Sequence, residues 1–270
     1  MAAPGVRGAS TQEPSPLAHE SHGPGHGSDL VLLHGVGLDR SMWQRCLPAL
    51  ATRHRVTVVD LRGHGASPAA AAGVTVGDLA GDVAALLDGP THLVGFSLGA
   101  LVAQQLAVAH PESVASLTLV SSVADRSAQE RSAVAGRRRL AAEDFAVSAQ
   151  AAVDRWIGPA WRAREPALTE AVLGTLLRTD RASYLACYDV FATADAQLWP
   201  QLPRITAPTL AVTGSEDPGS TPEMSRRLAA RIPGARATVV PGARHLLPLE
   251  RPDDLTATIL AHTGQGASPP

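Results

Sequence analysis

Short apolar runs alternate along the chain with longer segments in which apolar residues recur at helical spacing. Each run is rich in Val and Leu and lacks polar–apolar alternation, which is typical of strands buried on both faces of a parallel sheet. The runs lie at 30–33, 56–59, 92–94, 117–120, 209–212 and 237–240. Helical patterns at 76–87, 98–109 and 222–231 separate several of them. The sequence therefore predicts an α/β protein with a mostly parallel central sheet flanked by helices.

One long segment interrupts this alternation. Residues 124–203 contain no strand pattern, and Ala, Arg and Leu dominate them. We expect an inserted set of helices, placed over one end of the sheet as a lid. The predicted organisation is an α/β core at 29–122 and 204–263, a helical cap at 123–203, mostly flexible tails at 1–28 and 264–270, and a short edge strand within 17–22.

Composition narrows the possible chemistry. The 270-residue chain has a formal net charge of −2, and all 23 basic residues are Arg because the sequence contains no Lys. A Schiff base, a Walker A loop and a Ser-x-x-Lys site all need Lys and are excluded. The near-zero net charge gives no basis for binding nucleic acid or an anionic membrane. Without a signal peptide pattern or a long apolar stretch, we expect a cytoplasmic protein.

Cysteine and histidine content gives little support for a metal. The two cysteines, Cys46 and Cys187, are too few for a disulfide framework or a zinc cluster, and we expect both to be buried. His19, His22 and His26 are close enough in sequence to bind a metal, but such a loop more often binds nothing specific. We therefore expect no metal and no cofactor.

The segment Gly95-Phe96-Ser97-Leu98-Gly99 has the pattern Gly-x-Ser-x-Gly. The pattern is informative because the segment follows one predicted strand and begins a predicted helix. That placement holds a serine on a sharp turn with its hydroxyl above the sheet and the helix N-terminus facing a developing oxyanion. Ser97 is therefore the candidate nucleophile. The alternative is a glycine-rich turn in which Ser97 only caps the helix.

A nucleophilic serine needs a base, and the base needs a carboxylate that orients it. His245 follows the last predicted strand and Asp217 follows the preceding one, at the sheet edge where catalytic groups of parallel sheets collect. The order Ser97, Asp217, His245 matches a nucleophile elbow enzyme. Glu216 and Asp125 are alternative acids. Asp217 before a proline is also typical of a simple turn, and His245 of a surface loop.

The loop His34-Gly35-Val36-Gly37 follows the first core strand. It is placed to supply one backbone donor of an oxyanion hole from Val36, with the N–H of Leu98 as the other donor. We expect His34 to brace this loop rather than to transfer protons. A second polar loop begins at Asp60 and lacks a phosphate-loop pattern, and we expect Asp60 and Arg62 to form a buried ion pair beside the site.

These motifs resemble the α/β-hydrolase family over residues 28 to about 262. The resemblance rests on Leu33-His34-Gly35-Val36-Gly37, Asp60-x-Arg62-Gly63-His64-Gly65-x-Ser67 and Gly95-Phe96-Ser97-Leu98-Gly99, together with Asp217 and His245. The resemblance implies an eight-stranded sheet with a helical cap, of which one early strand is abbreviated or missing here. Within the family, the chain is most similar to 3-oxoadipate enol-lactonases, through Ser41-Met42-Trp43, Arg155-Trp156, Ile205-Thr206-Ala207-Pro208-Thr209-Leu210 and Ile232-Pro233-Gly234-Ala235-Arg236.

The enol-lactonase resemblance implies a substrate that carries a carboxylate. An arginine should then reach the pocket, and the cap offers Arg137, Arg138, Arg139 and Arg155. We name Arg155, with Trp43 and Trp156, as substrate-binding candidates, although both tryptophans also suit the core. Ile157 stands where the enzymes resembled usually have an aromatic residue, which leaves the substrate open.

The function expected from the sequence is serine-dependent hydrolysis of a small ester or lactone, with 3-oxoadipate enol-lactone as one candidate. A carboxylesterase, a perhydrolase or a carbon–carbon bond hydrolase would use the same three residues. Relatives that cleave halides or epoxides are disfavoured, because they carry Asp where Ser97 stands. A non-catalytic binding protein is the alternative from another class, since a fold alone does not give a function. The sequence leaves the oligomeric state open.

Overall fold

Seven strands form one central sheet in the computed structural model, which describes residues 17–24 and 27–264. The strands are β1 His19–His22, β2 Ser28–Leu33, β3 His54–Val59, β4 Thr91–Phe96, β5 Val114–Val120, β6 Thr209–Gly214 and β7 Arg236–Val240. Their spatial order is β1-β3-β2-β4-β5-β6-β7. Only the short edge strand β1 is antiparallel to its neighbour. The predicted mostly parallel sheet is confirmed, with seven of the eight strands that the resemblance implies.

The middle strands are covered on both faces, which explains their continuous apolar character. Every residue of β6 is buried, as are the last four residues of β2 and of β4. Buried parallel strands need apolar side chains on both sides of the sheet, so no alternation remains in the sequence. The strand order reverses between β2 and β4, and at such a switch point the loops after the two strands diverge and leave a crevice.

Helices flank this sheet. In chain order they are α1 Leu47–Leu50, α2 Val76–Ala84, α3 Leu98–Ala109, α4 Ala128–Glu143, α5 Phe145–Trp156, α6 Pro159–Arg164, α7 Pro166–Arg178, α8 Arg181–Leu198, α9 Pro222–Arg231, α10 Leu247–Glu250 and α11 Pro252–Thr263. Short 3-10 turns lie at Arg40–Trp43, Pro111–Ser113 and Trp199–Arg204. The three helices predicted from spacing correspond to α2, α3 and α9. Helix α3 begins directly after Ser97 and is buried along almost its whole length, so it is a rigid support for that residue.

Helices α4 to α8 lie between β5 and β6, and we call residues 123–203 the cap. Several of these helices begin at a side chain that accepts a backbone N–H of the first turn. Ser127 and Glu130 form a reciprocal capping box at α4, Asp144 caps α5, and Asp180 caps α8. Such caps satisfy donors that a helix cannot satisfy internally, so the starts of the cap helices are encoded locally.

The polar loop after β3 is held by two ion pairs, and the predicted pair between Asp60 and Arg62 is wrong. Asp60 instead pairs with Arg40 and accepts the N–H groups of Arg40 at 2.8 Å and Ala66 at 2.9 Å. Arg62 forms a two-pronged pair with Asp82 of α2, at 2.6 and 2.5 Å. The two side chains face different elements, Asp60 the 3-10 turn that begins at Arg40 and Arg62 the helix α2.

Some predictions concern residues at the ends of the chain. The stretches outside the described residues are 1–16, 25–26 and 265–270. The flexible tails therefore stay predictions, and His26 falls in the second stretch. In the part of the chain that the structure describes, no group of three His, Cys, Asp or Glu side chains is placed to hold a metal ion. No described helix has the length and apolar character to cross a membrane. Cys46 and Cys187 are buried and free, as expected.

Candidate active site

Ser97 lies on the sharp turn between β4 and α3. Its backbone has φ 52° and ψ −109°, a conformation that residues with a side chain rarely adopt and that costs about 1–3 kcal/mol. The Ser97 side chain makes no capping hydrogen bond to α3, while its N–H donates to the carbonyl of Val120 at 2.9 Å. The strained turn thus keeps the hydroxyl free of the helix, unlike the simple capping serine considered above.

Two glycines make room for this turn and for the loop opposite it. A Cβ atom on Gly95 would lie 2.3 Å from the carbonyl oxygen of Gly99. A Cβ on Gly35 would lie 2.8 Å from the Phe96 ring and 3.2 Å from the Cβ of Ser97. The loop after β2 can therefore lie close to Ser97 because Gly35 has no side chain.

Replacing Gly95 with alanine is expected to lower the free energy of unfolding by about 2–3 kcal/mol, because the new methyl group overlaps rigid backbone. Gly136 of α4 is the control, since a Cβ there would meet no atom within 4 Å. Gly136→Ala should instead raise stability, by up to about 1 kcal/mol, through helix propensity. Urea titration of both variants checks this. A Gly95→Ala protein that unfolds at the wild-type urea concentration would contradict the tight elbow.

His245 and Asp217 come together from the loops after β7 and β6. The Nδ1 atom of His245 lies 2.7 Å from Oδ2 of Asp217, and both side chains are buried. The other carboxylate oxygen, Oδ1, accepts the N–H groups of Gly219 and Ser220 at 2.9 Å each. Both oxygens are therefore engaged and the carboxylate is fixed. A carboxylate at this distance favours the tautomer with the proton on Nδ1, in which Nε2 is free to accept a proton.

The imidazole of His245 contacts two aromatic rings. The Phe96 ring centroid is 4.9 Å away at an interplanar angle of 56°, and the Trp156 ring stacks at 6.0 Å with an interplanar angle of 29°. The N–H of His245 donates to the carbonyl of Trp156 at 3.1 Å, and the Ser121 hydroxyl donates to the carbonyl of His245 at 3.0 Å. These contacts connect the histidine loop to both the sheet and the cap.

The alternative acids do not reach the imidazole. Glu216 and Asp125 are both exposed. The backbone carbonyl of Asp125 accepts a hydrogen bond from Arg227 at 2.8 Å, so this residue belongs to a surface contact. Asp217 is thus the carboxylate that meets His245 in the structure, and the reading of Asp217 as only a turn residue does not fit its burial.

Two backbone N–H groups near Ser97 have no hydrogen-bond acceptor among the described residues, those of Val36 and Leu98. Leu98 is the first residue of α3, where helix geometry leaves the N–H unpaired. Val36 lines the same cavity as Ser97. Unpaired donors beside a nucleophile are what an oxyanion hole requires, so both sequence-based candidates remain as proposed donors.

Two buried histidines brace the loop that carries Val36. Nε2 of His34 accepts the N–H of Leu61 at 2.9 Å, and its Nδ1 lies 2.7 Å from the carbonyl of Gly35. Nε2 of His64 accepts the N–H of Gly37 at 2.9 Å. Burial lowers the pKa of His34 to about 4 and of His64 to about 3, the charge of His34 adding to the second shift. Both are therefore neutral acceptors near pH 7, and His34 has the bracing role expected of it.

Acid should destabilise the folded protein through these histidines. An unfolded histidine titrates near pH 6.5, whereas His34 and His64 resist protonation when folded, so their contribution is complete above pH 6.5 and is lost as pH falls toward 4. The expected loss between pH 7.5 and pH 5 is on the order of 2 kcal/mol for each. Burial also lowers the pKa of His54, His92 and His262, which add to the slope.

Urea unfolding between pH 5 and pH 7.5 measures this dependence. The matched variant is His64→Gln, which still offers an oxygen to the Gly37 N–H but cannot titrate. Its stability should depend less steeply on pH than that of the wild type. Equal slopes for the two proteins would show that His64 does not resist protonation in the folded state.

A cavity of about 100 Å³ lies between Ser97 and the cap. Ser97, Asp217, His245 and Val36 line its core side. Its cap side is formed by side chains from α4, α5 and α8 and the loop before α4: Arg126, Glu130, Ala133, Val134, Arg137, Arg155, Trp156, Tyr188 and Phe191. Mostly apolar walls with a few convergent polar groups are typical of a site for a small molecule.

The structure brings Trp156 and Arg155 to this cavity but not Trp43. Trp43 is fully buried in the core and is not among the lining residues. Its assignment to the substrate pocket is corrected accordingly, because the 3-10 turn that carries it points the indole into the core. A wider cavity of about 750 Å³ lies beside Asp60 and Ser183, but none of Ser97, Asp217 and His245 lines it.

Sequence reasoning missed Tyr188 and Phe191, which line the cavity from α8. One signal was available, since aromatic residues are scarce in this chain, with only three Phe, two Tyr and four Trp. Tyr188 and Phe191 are three residues apart and so share a helix face. The hydrogen bond from the Gly37 N–H to His64 was also missed, and nothing in the local pattern indicated it.

Comparison with known proteins agrees with this architecture. The Alpha/beta hydrolase family model matches residues 30–258, so the chain belongs to this family of hydrolases. The crystal structure of the enol-lactonase from Burkholderia xenovorans LB400 superposes with a TM-score of 0.85 at 30% sequence identity, covering 92% of this chain and 96% of that one. The expected α/β-hydrolase fold is thereby confirmed.

Two relatives are named for different substrates. The chain is 29% identical over 230 residues to 3-oxoadipate enol-lactonase 2 of Acinetobacter baylyi, covering 83% of this chain and 84% of the relative. It is 32% identical over 247 residues to the pimeloyl-acyl carrier protein methyl ester esterase of Chromobacterium violaceum, covering 88% and 95%. The resemblance to enol-lactonases is confirmed, while similarity of the same degree extends to an ester hydrolase.

Proposed function

We propose that this protein is a serine hydrolase that cleaves a small ester or lactone through an acyl-enzyme on Ser97. The observation that carries the proposal is the 2.7 Å contact between buried His245 and Asp217, in one cavity with Ser97 on its strained turn. If Asp217 were only a turn residue, it would not need a histidine in contact with its carboxylate. A non-catalytic binding protein would not need to maintain the strain at Ser97 or two unpaired N–H groups beside it.

In the proposed reaction, Oγ of Ser97 attacks the substrate carbonyl while Nε2 of His245 accepts the hydroxyl proton. The oxyanion of the tetrahedral intermediate binds the N–H groups of Val36 and Leu98. Asp217 stabilises the imidazolium and holds its tautomer. When the intermediate collapses, His245 returns the proton to the leaving alcohol or enol, and an enol then tautomerises to the ketone. Water activated by His245 attacks the acyl-enzyme, releases the acid and regenerates Ser97.

The first specific substrate to test is 3-oxoadipate enol-lactone. The Acinetobacter baylyi relative is named for that lactone, and the small cavity suits a compact substrate. Carboxylester cleavage is the second candidate, supported by the methyl ester esterase relative. A perhydrolase or carbon–carbon bond hydrolase would use the same three residues.

Active-site labelling tests the hydrolase assignment. Purified protein is treated with a fluorophosphonate, and the modified peptide is identified by mass spectrometry. In parallel, turnover of 4-nitrophenyl acetate, 4-nitrophenyl butyrate and 3-oxoadipate enol-lactone is measured. We expect stoichiometric labelling at Ser97 and turnover of at least one substrate. Absence of both labelling and turnover would refute the hydrolase, whereas labelling with turnover of aryl esters alone would refute the enol-lactone assignment.

A further inference from the structure

The end of the cap helix α5 runs beside the loop that carries His245. The N–H of His245 donates to the carbonyl of Trp156 at 3.1 Å, and the Trp156 ring stacks on the imidazole. The chain after Trp156 stays close to this loop, because a Cβ atom on Gly158 would lie 3.8 Å from Cδ and Nε of Arg244. The proposed base therefore has the cap as an immediate backbone neighbour.

Two N–H groups on these adjoining segments, those of Arg244 and Gly158, are satisfied by a third element. Two donors cannot bond to each other, so each needs an acceptor. The carboxylate of Glu250 serves both, since its Oε2 accepts the N–H of Arg244 at 2.9 Å and the carboxylate also accepts the N–H of Gly158. One side chain thus joins the residue before His245 to the residue before α6 of the cap.

The position of Glu250 is fixed by the helix that carries it. Glu250 is the last residue of α10, in which the side chains of Leu247, Pro248 and Leu249 are all buried. The N–H of Glu250 donates to the carbonyl of Leu246 at 2.9 Å. Because the residues before it are packed in the core, the carboxylate cannot move away from the two N–H groups without moving the helix.

The Glu250 carboxylate has no cationic partner that would account for its place. Within the described residues, no Arg or His nitrogen lies within 4 Å of it. The guanidinium of Arg244 donates to the carbonyl of Asp154 at 3.4 Å instead. Burial raises the pKa of Glu250, and the N–H groups of Arg244 and Gly158 offset part of that rise. A carboxylate partly removed from water without an ion pair costs free energy, so these two N–H contacts are what favour it here.

We propose that Glu250 is a positioning residue, whose carboxylate ties the cap to the histidine loop and thereby fixes the backbone of His245 relative to Ser97. This inference rests on the proposed function. Glu250 acts on the base through the N–H of Arg244, the residue next to it in the chain. Because Glu250 also holds Gly158, a displacement of this end of the cap would be passed to His245. A shift of about 1 Å in a reacting group can lower a rate by about 100-fold, so a contact of this kind affects catalysis without touching the substrate.

Two substitutions test this role. Glu250→Gln keeps the shape but offers one acceptor oxygen in place of two, whereas Glu250→Ala removes both. With 4-nitrophenyl acetate we expect kcat to fall about tenfold in Glu250→Gln and about 30- to 100-fold in Glu250→Ala, with KM changed less than about threefold. The rate constant for fluorophosphonate labelling of Ser97 should fall in the same order. Urea unfolding establishes that each variant is folded in the assay; a merely structural role would lower the urea midpoint and leave kcat and labelling of the folded protein unchanged.

Glu216→Gln is the matched control. Glu216 lines the same cavity of about 420 Å³ as Glu250, together with Arg164 and Arg251, but its side chain is exposed and makes no hydrogen bond in the described part of the chain. Its replacement removes a negative charge from that cavity and should leave kcat within about twofold of the wild type. If Glu216→Gln lowered kcat and labelling as much as Glu250→Gln does, charge and not the two contacts would be the cause, and the positioning role would be overturned. Wild-type kcat in Glu250→Ala would overturn it as well.

Amide hydrogen exchange separates this inference from the proposed function. Exchange in peptides that cover 156–160 and 241–247 is measured by mass spectrometry for the wild type, Glu250→Ala and Glu216→Gln. We expect exchange about tenfold faster or more in both peptides of Glu250→Ala alone. Unchanged exchange in either peptide would refute the bridge between cap and loop. Faster exchange with kcat and labelling unchanged would refute the positioning role and leave the hydrolase intact, whereas a wild type that is neither labelled nor active would overturn the proposed function and this role with it.

Discussion

Ser97→Ala is expected to lower kcat for ester or lactone hydrolysis by about 10⁵-fold or more, the largest effect that we predict for any single substitution. Removal of the nucleophile leaves only binding and the oxyanion donors, which together retain a small fraction of the rate enhancement. The backbone at Ser97 keeps its strained conformation with alanine, so the fold should remain. The measurement is the ratio of wild-type to variant kcat for the best substrate from the panel, with both proteins purified free of contaminating enzyme.

A buried serine near the N-terminal end of strand β5 is the control. Ser116 of β5 hydrogen-bonds to His92 at 2.8 Å and does not line the cavity of Ser97. Ser116→Ala should cost at most about 1–2 kcal/mol of stability and should keep most of the activity. If Ser97→Ala retained a tenth of wild-type turnover, Ser97 would not be the nucleophile.

The strain at Ser97 gives a second signature that only an elbow would show. Glycine adopts the φ of 52° at that position without a steric penalty, so Ser97→Gly should be inactive yet more stable than Ser97→Ala by about 1 kcal/mol. Strained residues that serve activity commonly lower the stability of the folded protein. Urea unfolding of the two variants measures the difference directly.

The sheet and the elbow could be predicted because their signals are local. Strands buried on both faces must be continuously apolar, and a strand-to-helix turn with glycines around a serine admits few other conformations. Ser97, Asp217 and His245 each follow a strand of one parallel sheet, so strand order alone places them at one edge. The contact between His245 and Asp217 follows from the strand order, which the sequence pattern predicts well in this fold.

The cap side of the pocket could not be predicted in the same way. Which faces of α4, α5 and α8 meet the cavity depends on how these helices cross one another, and an Ala-rich pattern leaves that crossing poorly determined. Trp43 illustrates the limit, because its position after the oxyanion loop is compatible with pocket or core and packing alone decides for the core. Asp60 and Arg62 show the same limit for ion pairs, since nearness in sequence does not determine the direction of a side chain.

Asp217→Asn is expected to lower kcat by about 10⁴-fold while changing KM little. An asparagine is almost isosteric and retains acceptor capacity for the Gly219 and Ser220 N–H groups, so the loop should keep its shape. Its amide N–H donates to Nδ1 of His245, which moves the proton to Nε2 and removes the acceptor that Ser97 needs. The imidazolium formed during the reaction also loses its stabilising charge.

Asp125→Asn is the matched control, because Asp125 also follows a strand of the same sheet edge but is exposed and contacts Arg227 only through its backbone. It should keep at least half of the wild-type kcat. The fluorophosphonate distinguishes the roles further, since labelling of Ser97 should become far slower in Asp217→Asn and remain normal in Asp125→Asn. If the two substitutions exchanged these outcomes, His245 would be oriented by a carboxylate from β5 in the working enzyme, and the buried 2.7 Å contact with Asp217 would be structural only.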